Sequence, residues 1–123
     1  MANIPLISVV DDDSSVRDSV RGLLRSVSFA VVVFASAEEF LSSDHARETD
    51  CLILDVRMPG MSGFELQSRL VASYPEMPVI FITAHGDEEL RSRALRGGAV
   101  DFLLKPFSEE ALLTAVQAAL SPK

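Results

Sequence analysis

The chain has 123 residues, 48% of them hydrophobic, and a formal net charge of −7. That length suits one domain with a real core, and the acidic balance argues against direct nucleic-acid binding, which needs clustered Lys and Arg. A single cysteine, Cys51, excludes an intrachain disulfide and reads as a small core residue. No apolar stretch is long enough to span a bilayer, so no membrane association is expected and the cytoplasm is the expected location.

The first predicted strand, Leu6–Val10, runs into Asp11-Asp12-Asp13. A helix over Ser14 to Val27 follows, with Val16, Val20, Leu23, Leu24 and Val27 at helical spacing. Its Arg17, Arg21 and Arg25 lie four apart and are expected to form a solvated basic stripe, with docking of an acidic partner as the alternative. The second strand, Ala30–Phe34, leads to Ser36-Ala37-Glu38-Glu39, a capping-box pattern that opens a second helix. The third strand, Cys51–Leu54, runs into Asp55; Ser62-Gly63-Phe64-Glu65 then repeats the capping device, and that helix stops before Pro75. The fourth strand is Val79–Thr83. The fourth helix, Asp87 to Arg96, is expected to pair Asp87 with Arg91 and Glu89 with Arg93, and to end on Gly97-Gly98. The fifth strand, Val100–Leu104, runs into Lys105, and a last helix spans Ser108 to Leu120.

Strict alternation of this kind predicts an α/β fold: a parallel sheet with helices on both faces and right-handed crossovers. The carboxyl ends of parallel strands share one edge, where ligands bind. Asp11, Asp12, Asp55, Thr83 and Lys105 should therefore meet in one crevice. Two carboxylates about 4 Å apart repel by roughly 4 kcal/mol at an effective dielectric near 20, so the cluster should raise a pKa or bind a cation. Hard oxygen ligands favour Mg²⁺, with Mn²⁺ as an alternative. Lys105 adds a compact cation, Thr83 a hydroxyl, and an aspartate beside them can attack phosphorus. Asp13 fits an acidic helix N-terminus better than a ligand. His45 and His85 lack partners at metal-ligand spacing, which argues against zinc.

Val9-Val10-Asp11-Asp12, Leu54-Asp55-Val56-Arg57-Met58-Pro59-Gly60-Met61-Ser62-Gly63, Ile82-Thr83-Ala84 and Leu104-Lys105-Pro106-Phe107 resemble the signature segments of two-component response-regulator receiver domains. The resemblance covers residues 1–123 as one receiver domain. Gly97-Gly98-Ala99-Val100-Asp101-Phe102 and Phe34-Ala35-Ser36-Ala37-Glu38-Glu39-Phe40 are similar to the branch of nitrogen-fixation regulators. The resemblance implies a flavodoxin-like (βα)5 doubly wound sandwich with strand order 2-1-3-4-5. It implies Asp55 as phosphoryl acceptor from a sensor histidine kinase. Mg²⁺ would be held by Asp12, Asp55 and the Arg57 backbone carbonyl, with Asp11 acting mainly through water. Thr83 and Lys105 would bind the phosphoryl group, Ala84 would leave access for the donor, and the Lys105–Pro106 bond would be cis. Phe102 would be the switch aromatic, although a Phe in an apolar strand is as readily simple core. Arg57 and His85 would tune phosphate lifetime.

The resemblance also implies an altered surface over helix four, strand five and helix five on phosphorylation, with homodimerisation there. A DNA-binding output domain after Lys123 would be the natural continuation of a longer regulator. Such a module catalyses only its own phosphorylation and dephosphorylation. Two rivals remain: a receiver-like scaffold that works without phosphorylation, and a Mg²⁺-dependent haloacid-dehalogenase-type phosphohydrolase. The latter needs an acidic residue two positions after its nucleophile, where this chain has Arg57. One departure from the receiver pattern is Ser28-Phe29, where many relatives have a glycine before the aromatic.

Overall fold

The structure, a computed structural model, describes residues 4–121. In chain order the elements are β1 (Leu6–Val10), α1 (Ser14–Ser26), β2 (Ala30–Phe34), α2 (Ala37–Ser42), β3 (Cys51–Asp55), α3 (Gly63–Ser73), β4 (Val79–Thr83), α4 (Glu88–Arg96), β5 (Asp101–Leu104) and α5 (Glu109–Leu120). All the strand pairings are parallel, in the order β2-β1-β3-β4-β5, the predicted flavodoxin-like topology. β3 reaches one residue further than expected, so Asp55 itself pairs with Ile82 of β4. β5 starts one residue later, at Asp101. A 3₁₀ turn at Ala46–Glu48, which the hydrophobic pattern does not foretell, leads into β3.

Because successive strand side chains alternate between faces, each central strand feeds two cores. Val10, Leu52, Leu54, Phe81 and Phe102 pack with Phe40, Phe64 and Leu66 on the side of α2, α3 and α4. Ile7, Val9, Cys51, Ile53, Ile80 and Ile82 pack with Val20, Leu24, Leu112 and Val116 on the side of α1 and α5. β3 and β4 are buried along their whole length, as strands covered on both faces must be. Cys51 belongs to this interior; burial, reinforced by the charge of Asp50, pushes its thiol up to about 12. No helix among the described residues is long and apolar enough to cross a membrane.

Several local expectations change once tertiary partners are present. Ser62 and Glu65 form the full reciprocal box at the start of α3. At α2, Ser36 Oγ accepts from the Glu39 N–H at 3.1 Å, but Glu39 does not reciprocate. The two predicted pairs along α4 do not form. Asp87 lies just outside the helix and turns its carboxylate back to cap the Leu90 N–H at 2.8 Å. Arg91 instead donates to the Phe102 carbonyl at 3.2 Å, and the Arg93 guanidinium lies 4.3 Å over the Phe64 ring. A helical pair four apart is worth only about 0.2–0.5 kcal/mol, and a cation over an aromatic face about 0.5–1 kcal/mol, so the cross-element contacts win.

Both α1 and α4 end in Schellman motifs. Gly98, with φ of 103°, supplies the left-handed residue after α4, while Gly97 stays right-handed. After α1 that place falls to Ser28, at φ of 73°, with the Ser28 N–H on the Arg25 carbonyl and the Phe29 N–H on the Leu24 carbonyl. A left-handed residue with a Cβ costs roughly 1–2 kcal/mol, and glycine regains part of that as unfolded-state entropy. Ser28→Gly should therefore stabilise the protein by about 0.5–1 kcal/mol, read as a higher midpoint in urea with an unchanged slope.

Candidate functional site

The strand order reverses direction at β1, which opens a crevice between the carboxyl ends of β1 and β3. Asp11 and Asp12 follow β1, Asp55 ends β3, Thr83 ends β4 and Lys105 follows β5. One carboxylate oxygen from each of Asp11, Asp12 and Asp55 lies within 4.8 Å of the others. Lys105 Nζ donates to Asp11 Oδ2 at 2.7 Å and lies 3.6 Å from Asp55 Oδ1. The structure thus brings Asp11, Asp12, Asp55 and Lys105 together, while Thr83 stands at the end of the adjacent strand β4.

Their environments differ. Asp11 is fully buried and fixed from every side. Its N–H donates to the Phe34 carbonyl, its carbonyl accepts from Arg17 Nη1 at 2.8 Å, and its second carboxylate oxygen accepts from the Asp13 N–H at 2.9 Å. Asp12 is exposed. Asp55 is buried, and its carboxyl is pushed up to about 7, first by burial and then by the neighbouring Asp11 charge, with Lys105 opposing. Burial works against the charge of Lys105, but its bond to Asp11 and the nearby Asp55 and Asp11 charges outweigh it, so its pKa is raised. Asp13 takes the helix-cap role, accepting from the Ser15 N–H at 2.8 Å.

Thr83 is buried, and its Oγ1 accepts from the His85 N–H at 3.1 Å, which leaves the hydroxyl proton to donate elsewhere. The Lys105 N–H holds the Thr83 carbonyl at 2.8 Å, and the Lys105–Pro106 bond is cis. Ala84, His85 and Arg57 are exposed around the crevice. Phe102 is buried against the α4 side, among the same cluster as Phe81 and Ala94. Beside Lys105 and Ala84 a groove of about 530 Å³ runs between α1 and α5, floored by Val16, Val20, Leu23 and Phe107.

Two residues near the site were missed by reading the sequence. Arg17, expected on a solvated stripe, grips the Asp11 carbonyl, whereas Arg21 does stay at the surface, paired with Asp18. Glu38, expected only within a helix start, sends its carboxylate across to the Met61 N–H at 3.0 Å. Nothing in local spacing signals either contact, because each partner lies on another segment.

The residues present suit a hard divalent cation. The clustered donors are carboxylate oxygens, one of them from exposed Asp12, and hard oxygen donors of this kind suit such an ion.

The sequence pattern of the response regulator receiver domain matches residues 7–117. Nodulation protein W of Bradyrhizobium diazoefficiens is 51% identical over 93% of this chain and 50% of its own length. The transcriptional regulatory protein FixJ of the same organism is 41% identical over 93% of this chain and 56% of its own length. The crystal structure of FixJ-N superposes with a TM-score of 0.85 at 38% identity, covering 98% of this chain and 95% of that one. The chain thus spans about half the length of the curated relatives it matches. By pattern, identity and topology, the chain belongs to the receiver domains of two-component response regulators, phosphoacceptor signalling modules, within the branch that includes FixJ.

Proposed function

We propose that Asp55 is the phosphoryl acceptor and that the chain is a single receiver domain over residues 1–123. The observation that carries this is the placement of Asp55: buried, 3.6 Å from Lys105 Nζ, with Asp11 and Asp12 beside it. The ionised Asp55 carboxylate attacks the phosphorus of a phosphohistidine on a sensor kinase. The new O–P bond forms as the P–N bond breaks, and the imidazole leaves. Asp12, Asp55 and the Arg57 carbonyl would hold Mg²⁺ (or Mn²⁺), with Asp11 acting through water; bound there, the ion neutralises charge on the transferring group. Lys105 supplies the second positive charge. The Thr83 hydroxyl donates to a phosphoryl oxygen, and exposed Ala84 leaves the approach open. Arg57 and His85 flank the crevice, where they can affect water access and so phosphate lifetime. The module catalyses only its own phosphorylation and dephosphorylation.

Signal output follows from the loop between β4 and α4. Leu104 of β5 is 52% exposed and packs so closely over Gly86 that a Cβ at that glycine would lie 1.7 Å from Leu104 Cδ2. A Thr83 shift toward a phosphoryl group moves this loop, and Leu104 must follow, along with Phe102 as the aromatic that fills the space released. Leu95 of α4 and Val100, just before β5, are also exposed, apolar surface that supports homodimerisation through α4, β5 and α5. We place the module in the cytoplasm, with an output domain following it as the greater length of its relatives suggests.

Intact mass after incubation with Mg²⁺ and acetyl phosphate tests the assignment. One added phosphoryl group, lost with chelator, is expected. No adduct and no steady release of phosphate from the donor would favour the phosphorylation-independent scaffold.

A further inference from the structure

We propose that Arg17 and Glu38 are positioning residues that set the affinity of the acidic site for Mg²⁺ by gripping, from outside, the backbones of the two loops that carry its ligands. The inference rests on the metal reading above.

The two contacts are alike in kind. Arg17, on α1, donates Nη1 to the Asp11 carbonyl at 2.8 Å. The peptide it holds joins Asp11 to Asp12. Glu38, on α2, accepts the Met61 N–H at 3.0 Å. Met61 lies in the segment between Asp55 and α3, which also carries Arg57. Glu38 Oε2 sits over the turn so closely that a Cβ at Gly60 would approach it to 2.6 Å, and Gly60 has φ of 77°. The Met61 N–H, and next the Glu38 backbone N–H, hold the Glu38 carboxyl below its ordinary value, as a committed hydrogen bond should.

Each loop is anchored at its other end by main-chain bonds. The Asp11 N–H donates to the Phe34 carbonyl, and the Val56 N–H to the Ile82 carbonyl. The two side chains add a further hold on each loop, beside the Gly63 N–H on the Val56 carbonyl. Neither bonds a carboxylate of the cluster, so neither is a ligand. Carboxylates that repel one another will drift apart unless their loops are held. A site that is already ordered binds an ion without the cost of ordering it, and residues that orient ligands typically change metal affinity 10–100-fold.

The test is titration of the metal-free protein with Mg²⁺ by calorimetry, together with amide hydrogen exchange at Met61. Glu38→Ala and Arg17→Ala should each weaken Mg²⁺ about 10-fold. The double variant should lose roughly the product, since the two hold separate loops. Glu38→Gln keeps an oxygen acceptor and loses the charge; it should stay within about twofold of wild type. Met61 exchange should speed about 10-fold in Glu38→Ala and not in Glu38→Gln. Wild-type affinity in both alanine variants overturns the proposal. So does a Glu38→Gln protein as weak as Glu38→Ala, since charge at a distance would then be the cause. A wild type that binds no Mg²⁺ overturns the metal reading instead, and the Met61 exchange then decides whether the grip exists.

Discussion

Asp55→Asn is expected to accept no phosphoryl group from acetyl phosphate, yet to be more stable than the wild type in metal-free buffer above pH 7. The loss is complete because the amide has no anionic oxygen to attack phosphorus. The gain follows from the cost of a buried, crowded carboxylate. The folded protein raises Asp55 to about 7 from an ordinary 3.8, so it holds this proton more tightly than the unfolded chain does. A raised pKa means the stabilising contribution is fully present below 3.8 and is lost as pH rises through 7. A shift of that size converts to about 4 kcal/mol, and water reaching the cluster from the exposed Asp12 side reduces this to about 2 kcal/mol. The melting temperature of Asp55→Asn minus that of wild type should therefore be smallest below pH 4, reach roughly a third of its full size at pH 5, grow up to pH 7 and level off near 6–10 °C by pH 8, by the usual scaling. Taking the difference cancels the carboxylates remote from the site. Mg²⁺ at pH 8 should raise the wild-type midpoint and move the variant much less. A difference that is flat from pH 5 to 8 would sink the electrostatic account of the site.

Gly63→Ala should damage both fold and site, although it adds one methyl group. Gly63 opens α3 and presses on the strand below: its Cβ would lie 2.2 Å from the Asp55 carbonyl oxygen and 3.0 Å from the Val56 Cα. These are backbone atoms and cannot rotate away. The Gly63 N–H also donates to the Val56 carbonyl at 2.9 Å, which ties the helix start to the same residues. Relief requires α3 and β3 to separate by close to 1 Å. Overpacking of this kind costs about 1–3 kcal/mol, and a displacement of that order in a reacting group can cost about 10²-fold in rate. Thermal melting should show a fall of roughly 5–10 °C, and the rate of phosphorylation by acetyl phosphate should drop at least 10-fold. Gly98→Ala is the control. Nothing lies within 4 Å of its Cβ, so any loss there reflects its positive φ and should spare the phosphorylation rate.

The parallel α/β architecture was legible in the sequence because it rests on local quantities. Apolar runs such as Val79–Thr83, separated by helical patterns and capped by Ser or Asp, specify element type and length without reference to the rest of the chain. Strand ends of a parallel sheet share one edge, so topology alone puts Asp11, Asp12, Asp55, Thr83 and Lys105 along it. Choices between near-equal partners were not legible. Arg91 and Arg93 sit at the spacing for helical ion pairs yet turn to the Phe102 carbonyl and the Phe64 ring. Glu38 and Glu39 are adjacent and chemically alike, but only Glu38 faces the Met61 N–H. Gly63 looks like any helix-start residue until Asp55 is brought beneath it. Spacing encodes which side chains can share a strand end or a helix face. Which of two carboxylates reaches a loop, and which glycine bears on Asp55, depends on how separate elements pack, and only the tertiary structure decides that.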